Sequence, residues 1–201
     1  MEGTVLALCV AAFSLAMGLR EVLNIWIGTA SAAVISIVLL RRLSSPPSLQ
    51  ENDDPVRSGI AGLLVGLFMS MATWTLYPIS IDFIPSIGLE VPKLYGLLRQ
   101  FPGPVWACPV LALVVGAEEL VWRGLAIDLF SKSLGASGAV LLASLLYVLP
   151  QIAFRSPLLV VVAVTCGLVW GALRVWTHGL TAPLVAHLTW DLLVFVLFPV
   201  E

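Results

Sequence analysis

The 201-residue chain is 60% hydrophobic and only 11% charged, with a mean hydropathy of +1.04, which excludes an ordinary soluble domain and marks a multi-pass integral membrane protein. A net charge of −2, thinly spread, argues against nucleic acid as a partner, and no Lys/Arg cluster is dense enough to hold anionic lipid. Cys9, Cys108 and Cys166 are odd in number, lie in apolar runs and share no metal-ligand spacing, so they read as small buried hydrophobes.

A spanning helix needs about 20 mostly apolar residues. In chain order the runs 4–19, 22–40, 58–79, 105–131, 136–154, 157–175 and 179–199 qualify, predicting an all-α polytopic bundle of about seven spans. Continuous runs of this length exclude a β-barrel, which needs alternating strands of about ten residues. Glu2 stands where a signal peptide would carry basic residues, so the first run reads as a retained helix. The chain is expected to form one integral domain over 1–201, with two spans in 1–40, a polar loop at 41–57 and a core over 58–201. Residues 80–104, with Pro85, Pro92, Pro102 and Pro104 around an amphipathic Lys93–Leu98 stretch, suggest an interfacial helix able to gate lateral access. Lys and Arg number five on one set of alternate loops and four on the other, which leans to an inside amino terminus.

The fourth run carries Glu118, Glu119 and Arg123. Each charge at bilayer depth costs roughly 3 kcal/mol on insertion scales, so three within six residues require a reason. Glu119 and Arg123 are spaced i, i+4 in the favourable order for an ion pair. Glu118 points about 100° away with no such partner, a carboxylate placed to act as a general base on water. The competing reading is an interhelical polar clasp.

His187 and Asp191 lie four apart on the last run and share a helix face. Alone they read equally well as an interhelical hydrogen-bonding pair. Beside the diacid they become the other half of a site, donors to an oxyanion. HExxH is absent, and a zinc site would need His178 to reach inward from a loop, so neither metal nor cofactor is expected. Asp82 and Asp128 read as helix-end acids, and Trp122 and Trp190 as walls of the site.

The segment Gly116-Ala117-Glu118-Glu119-Leu120-Val121-Trp122-Arg123-Gly124 resembles the EExxxR motif of the CAAX protease and bacteriocin-processing family of intramembrane glutamic endopeptidases. Arg174 to Asp191 resembles that family's last motif, HxxxN or HxxxD. The likeness covers roughly 105–195, and residues 1–100 match only in being hydrophobic. Between the two motifs the family usually has FxxxH, where this chain has Tyr147-Val148-Leu149-Pro150-Gln151. The resemblance implies that Glu118 activates water, that Glu119 and Arg123 support it, and that His187 and Asp191 stabilise the oxyanion. Gln151, in place of histidine, can orient water but cannot take its proton. An ionised Asp191 cannot donate, so it acts either protonated or by orienting His187.

The expectation is a metal-independent intramembrane glutamic endopeptidase, in a bacterial inner membrane. It would cleave a membrane-anchored protein or peptide tail, such as a prenylated CAAX tail, a bacteriocin leader or, as the favoured guess, a carboxy-terminal sorting signal of the myxosortase type. The rivals are a catalytically inactive scaffold or bacteriocin-immunity factor, and a small transporter using the acids as a proton relay.

Overall fold

A computed structural model describes residues 1–44 and 54–200. Ser45, Pro46, Pro47, Glu51 and Asp53 of the expected polar loop lie outside the described residues. Among the described residues the chain is all helix: α1 (Glu2–Gly18), α2 (Ile25–Leu43), α3 (Pro55–Phe83), α4 (Ile87–Leu98), α5 (Cys108–Glu118), α6 (Ile127–Phe154), α7 (Pro157–Thr177) and α8 (Thr181–Asp191). A π-helical stretch, Glu119–Ala126, joins α5 to α6, and another, Leu192–Leu197, extends α8.

Local chemistry fixes the helix starts. Asn24 caps α2 by accepting from the amides of Trp26 and Ile27, and Asp54 does the same for α3 at Val56 and Arg57. Pro55 and Pro157 occupy the first positions of α3 and α7, where a missing N–H costs nothing. Among the described residues four helical stretches are long and apolar enough to cross a bilayer: Ile25–Leu43, Pro55–Phe83, Cys108–Phe154 and Pro157–Thr177. Glu2–Gly18 and Thr181–Leu197 are shorter apolar helices.

The 47-residue stretch Cys108–Phe154 would run about 70 Å if straight, over twice the hydrocarbon thickness. It turns back at Gly135, where φ is +67° and ψ 176°, values that suit a residue without Cβ. The reversal brings Tyr147 to within hydrogen-bonding distance of Glu118, 29 residues earlier. Counting both legs, the expected number of spans is roughly met. The interfacial helix expected within 80–104 is α4, which buries Ile87, Val91 and Tyr95 on one face. Helix α3 runs on through Pro78 to Phe83, four residues past the expected 79, because membrane helices tolerate an interior proline where surrounding groups satisfy the freed backbone.

Lipid offers no hydrophobic drive between helices, so close approach of backbones must supply the association. On α3 the buried Ser58, Gly62, Gly66 and Ser70 recur every four residues and form a seam against α8. A Cβ on Gly66 would lie 2.7 Å from both the Ala186 carbonyl oxygen and the Thr189 Cβ, and one on Gly62 would collide with the Ala182 carbonyl. Only hydrogen fits there. Large apolar side chains such as Leu64, Phe68, Met71 and Val161 face outward, as a lipid solvent requires.

Gly66→Leu should therefore overpack the α3–α8 seam and cost about 1 to 3 kcal/mol. Gly59→Leu on the same helix, where an added Cβ would meet no described residue of another element within 4 Å, should be nearly neutral. Thermal unfolding of the detergent-solubilised pair checks this, and equal midpoints would refute the seam.

Candidate active site

Glu118 ends α5 and Glu119 opens the π-helical stretch, whose wider turn is a frequent feature of functional sites. Glu119 and Arg123 are only 1% and 2% exposed, and Glu118, His187 and Asp191 are also buried. One oxygen organises them. Glu119 Oε1 accepts from Arg123 Nη1 at 3.1 Å and lies 2.7 Å from His187 Nδ1. Among the described residues Glu119 Oε2 has no hydrogen-bond partner.

The arginine is held on three further sides. Its guanidinium sits 4.7 Å from the Tyr147 ring centroid and 5.0 Å from that of Trp170, and Nη2 approaches the Cys166 carbonyl at 3.5 Å. Trp170 also stacks on His187 at 3.8 Å with an interplanar angle of 21°. The imidazole is thus clamped between a flat ring and a carboxylate.

Glu118 accepts a hydrogen bond from the Tyr147 hydroxyl at 3.1 Å. Its Oε2 lies 3.8 Å from His187 Nε2, and Asp191 Oδ2 lies 3.6 Å from the same nitrogen. These separations are too long for direct hydrogen bonds and suit a bridging water. If Glu119 takes the Nδ1 proton in its hydrogen bond, the neutral ring presents a lone pair at Nε2. Glu118, His187, Asp191, Tyr147 and Gln151 all line one cavity of about 150 Å³. Its other walls are largely apolar and include Trp26 of α2, Leu94 and Leu98 of α4, and Cys166 of α7.

Five of the six residues singled out in sequence form one connected cluster, and Gln151 stands one helical turn beyond Tyr147 on the same cavity wall. His178 is exposed at the end of α7 in a separate hollow with Asp54 and Arg57, so it does not join them. Asp82 is exposed. Asp128, read as a helix-end acid, pairs with Arg174 Nη2 at 3.1 Å, and Arg174 Nε donates to the Arg123 carbonyl at 3.2 Å. Among the described residues no group of three or more His, Cys, Asp or Glu side chains is arranged to hold a metal ion. Three contributors were not recognised from sequence: the Tyr147 hydroxyl, Trp170 and Arg174. A second acid–base pair placed within apolar runs was the available signal for Arg174. Tyr147 and Trp170 carried no signal beyond being aromatic.

Residues 101–193 match the family model described as type II CAAX prenyl endopeptidase Rce1-like. No curated protein and no solved structure matches the chain.

Glu119→Gln removes the charge that compensates a buried guanidinium, and should destabilise the protein by about 3 to 5 kcal/mol. Tyr147→Phe, which deletes one buried hydrogen bond while keeping the ring over Arg123, should cost about 1 kcal/mol. Replacing Glu119 and Arg123 together by Leu should recover much of the first loss. Denaturant titrations of the set would expose the opposite order.

Proposed function

We propose that the chain, whose residues 101–193 match the type II CAAX prenyl endopeptidase Rce1-like family model, is an intramembrane glutamic endopeptidase acting on a membrane-anchored peptide tail. The observation that carries the reading is the facing of Glu118 Oε2 and His187 Nε2 across 3.8 Å inside one cavity, from motifs on two different helices. A water held in that gap would give one proton to Glu118 and a hydrogen bond to Nε2.

In the proposed reaction the water oxygen attacks the scissile carbonyl carbon while Glu118 takes its proton. The carbonyl electron pair moves to oxygen, then returns as the C–N bond breaks, and Glu118 passes its proton to the leaving amine. One water is consumed and the products are an acid and an amine. Glu119 and Arg123 position the imidazole, and Trp170 fixes its plane. Asp191, beside Nε2, stabilises the ring whenever it takes a proton. Gln151 offers neutral amide donors to the reacting oxygens from the next turn of α6. His187 thus shares the handling of water, a role that the sequence alone gave to a histidine missing at 151. This use of the imidazole differs from the oxyanion role expected from sequence. The Nδ1 contact to Glu119 supports it.

The largely apolar cavity walls favour an apolar tail as substrate. A prenylated CAAX tail and a carboxy-terminal sorting signal both have that character. Gln151 also keeps a second reading alive, a non-catalytic member serving as a membrane scaffold.

Glu118→Gln should abolish cleavage of lipidated tail peptides, followed by mass spectrometry, while leaving the unfolding midpoint nearly unchanged. Full activity in that variant would sink the mechanism. Gln151→Leu should slow cleavage by about tenfold, the worth of one buried hydrogen bond, and Gln151→His should be tolerated. A natural protein that is inert until Gln151→His is made would favour the scaffold reading. Activity should survive EDTA and phenanthroline; loss with rescue by zinc would replace glutamate-driven hydrolysis by metal-assisted hydrolysis.

A further inference from the structure

The second π-helical stretch, Leu192–Leu197, follows Asp191 directly and closes one donor short. The Phe198 amide donates to the Leu193 carbonyl at 2.8 Å, five residues back, so it is not spent on Val194. The next rung of a π ladder would come from Pro199, which has no N–H. Neither the α nor the π position can then serve the Val194 carbonyl, and a buried carbonyl needs a donor.

Tyr95 of α4 supplies it. Its hydroxyl donates to the Val194 carbonyl at 2.7 Å and accepts from the Val200 amide at 3.2 Å, so it fills the gap that the proline leaves. The side chain is buried, and its ring meets Phe195 edge-on at 6.4 Å between centroids. From Phe195 the ring contacts run through Trp190 to Trp170, which stacks on His187. On α4 itself Leu94, Leu97 and Leu98 line the active-site cavity, as Phe195 and Asp191 do. Glu90, earlier on the same helix, accepts from the Ser156 hydroxyl and the Leu158 amide, which ties α4 to the start of α7. The first π-helical stretch is held in a similar way, since Arg174 Nε of α7 donates to the Arg123 carbonyl. In both, a side chain from another helix reaches a carbonyl of the widened turn.

We propose that Tyr95 is a positioning residue of the active site: its hydroxyl stands in for the N–H that Pro199 lacks, keeps the turn after Asp191 in its π form and so sets where Phe195 and Asp191 face the cavity. The proposal rests on the reading of Glu118 and His187 as the hydrolytic centre, because Asp191 Oδ2 lies 3.6 Å from His187 Nε2. Tyr95 acts through the backbone, and it lies outside the matched residues 101–193. Without the hydroxyl, the simplest repair is for the Phe198 amide to turn to Val194, four residues back, which converts the π turn to an α turn. That change rotates the two sides of the turn against each other by about 100°. Helix α8 is fixed by the glycine seam on α3, so the stretch carrying Phe195 must take up the rotation.

The test uses the full chain in detergent with Tyr95→Phe, Pro199→Ala and the double variant. Tyr95→Phe keeps the ring on Phe195 and deletes only the hydroxyl. It should lower kcat on a lipidated tail peptide about tenfold with KM within about twofold, and raise amide hydrogen exchange across 192–198 while α3 exchanges as in the parent. Pro199→Ala restores an N–H where a π ladder requires one, and alone it should change neither kcat nor exchange. In the double variant it should recover most of both losses, a non-additivity that simple loss of packing does not produce. Additive effects in the double variant, parental exchange over 192–198 in Tyr95→Phe, or a loss confined to KM would overturn the proposal. If the parent hydrolyses no tail peptide, the catalytic reading fails while exchange still decides whether Tyr95 holds the turn. Parental hydrolysis with unchanged exchange in Tyr95→Phe would do the reverse.

Discussion

Glu119 Oε1 is the atom on which the rest of the site depends, because it serves Arg123 and His187 together at 3.1 and 2.7 Å. In a buried interior of low dielectric, a guanidinium, a carboxylate and an imidazole are each costly alone, and the cost is offset only while all three meet. The helices that carry them are consequently locked in register: the π-helical stretch cannot slide against α8 without leaving a charge unpaired. Glu118 gains from this arrangement without being tied up in it. Its neighbour absorbs the arginine, and its own carboxylate holds only the Tyr147 hydroxyl and faces the cavity.

Helix packing supplies the precision that electrostatics alone would not. The face of α3 carrying Gly62 and Gly66 lies directly against the backbone of α8 at Ala182 and Ala186, the residue before His187. Gly167 and Gly171 bring α7 equally near α6 at Ser144 and Val140, which fixes the height of Trp170 under the imidazole. With His187 held by a neighbouring backbone, a stacked ring and a hydrogen bond, few rotamers remain open to it. Such restriction is what a group at 3.8 Å from its partner needs if a water is to fit between them.

How much of this was legible in the sequence follows from the cost of each residue in lipid. Glu118, Glu119, Arg123, His187 and Asp191 stood out because apolar runs do not carry such groups without a use. Their mutual contacts did not stand out, since a 68-residue separation between Glu119 and His187 leaves no periodicity to read. The reversal at Gly135 was placed between two runs, yet nothing local showed that it would return Tyr147 to Glu118. The Gly62–Gly66 pair had the spacing of a membrane helix contact and was legible in principle. Arg174 showed itself only as a basic residue within an apolar run, since its partners, Asp128 and the Arg123 backbone, lie on other helical elements. The tie from Glu90 to Ser156 is likewise a contact between distant segments, invisible until the chain is folded.

A peptide bond inside a transmembrane helix is a poor substrate for such a site, since its carbonyl is already hydrogen-bonded and its neighbours would have to unwind in lipid. The last four carbonyls of a helix have no such partner. A chain end leaving the bilayer therefore presents extended backbone at little cost, and it is the part that carries a carboxylate. A largely apolar cavity that contains Glu118 suits an end of that kind and would penalise a continuous helix by its bulk. Selectivity for tails would then come from the shape of the cavity rather than from the reacting atoms.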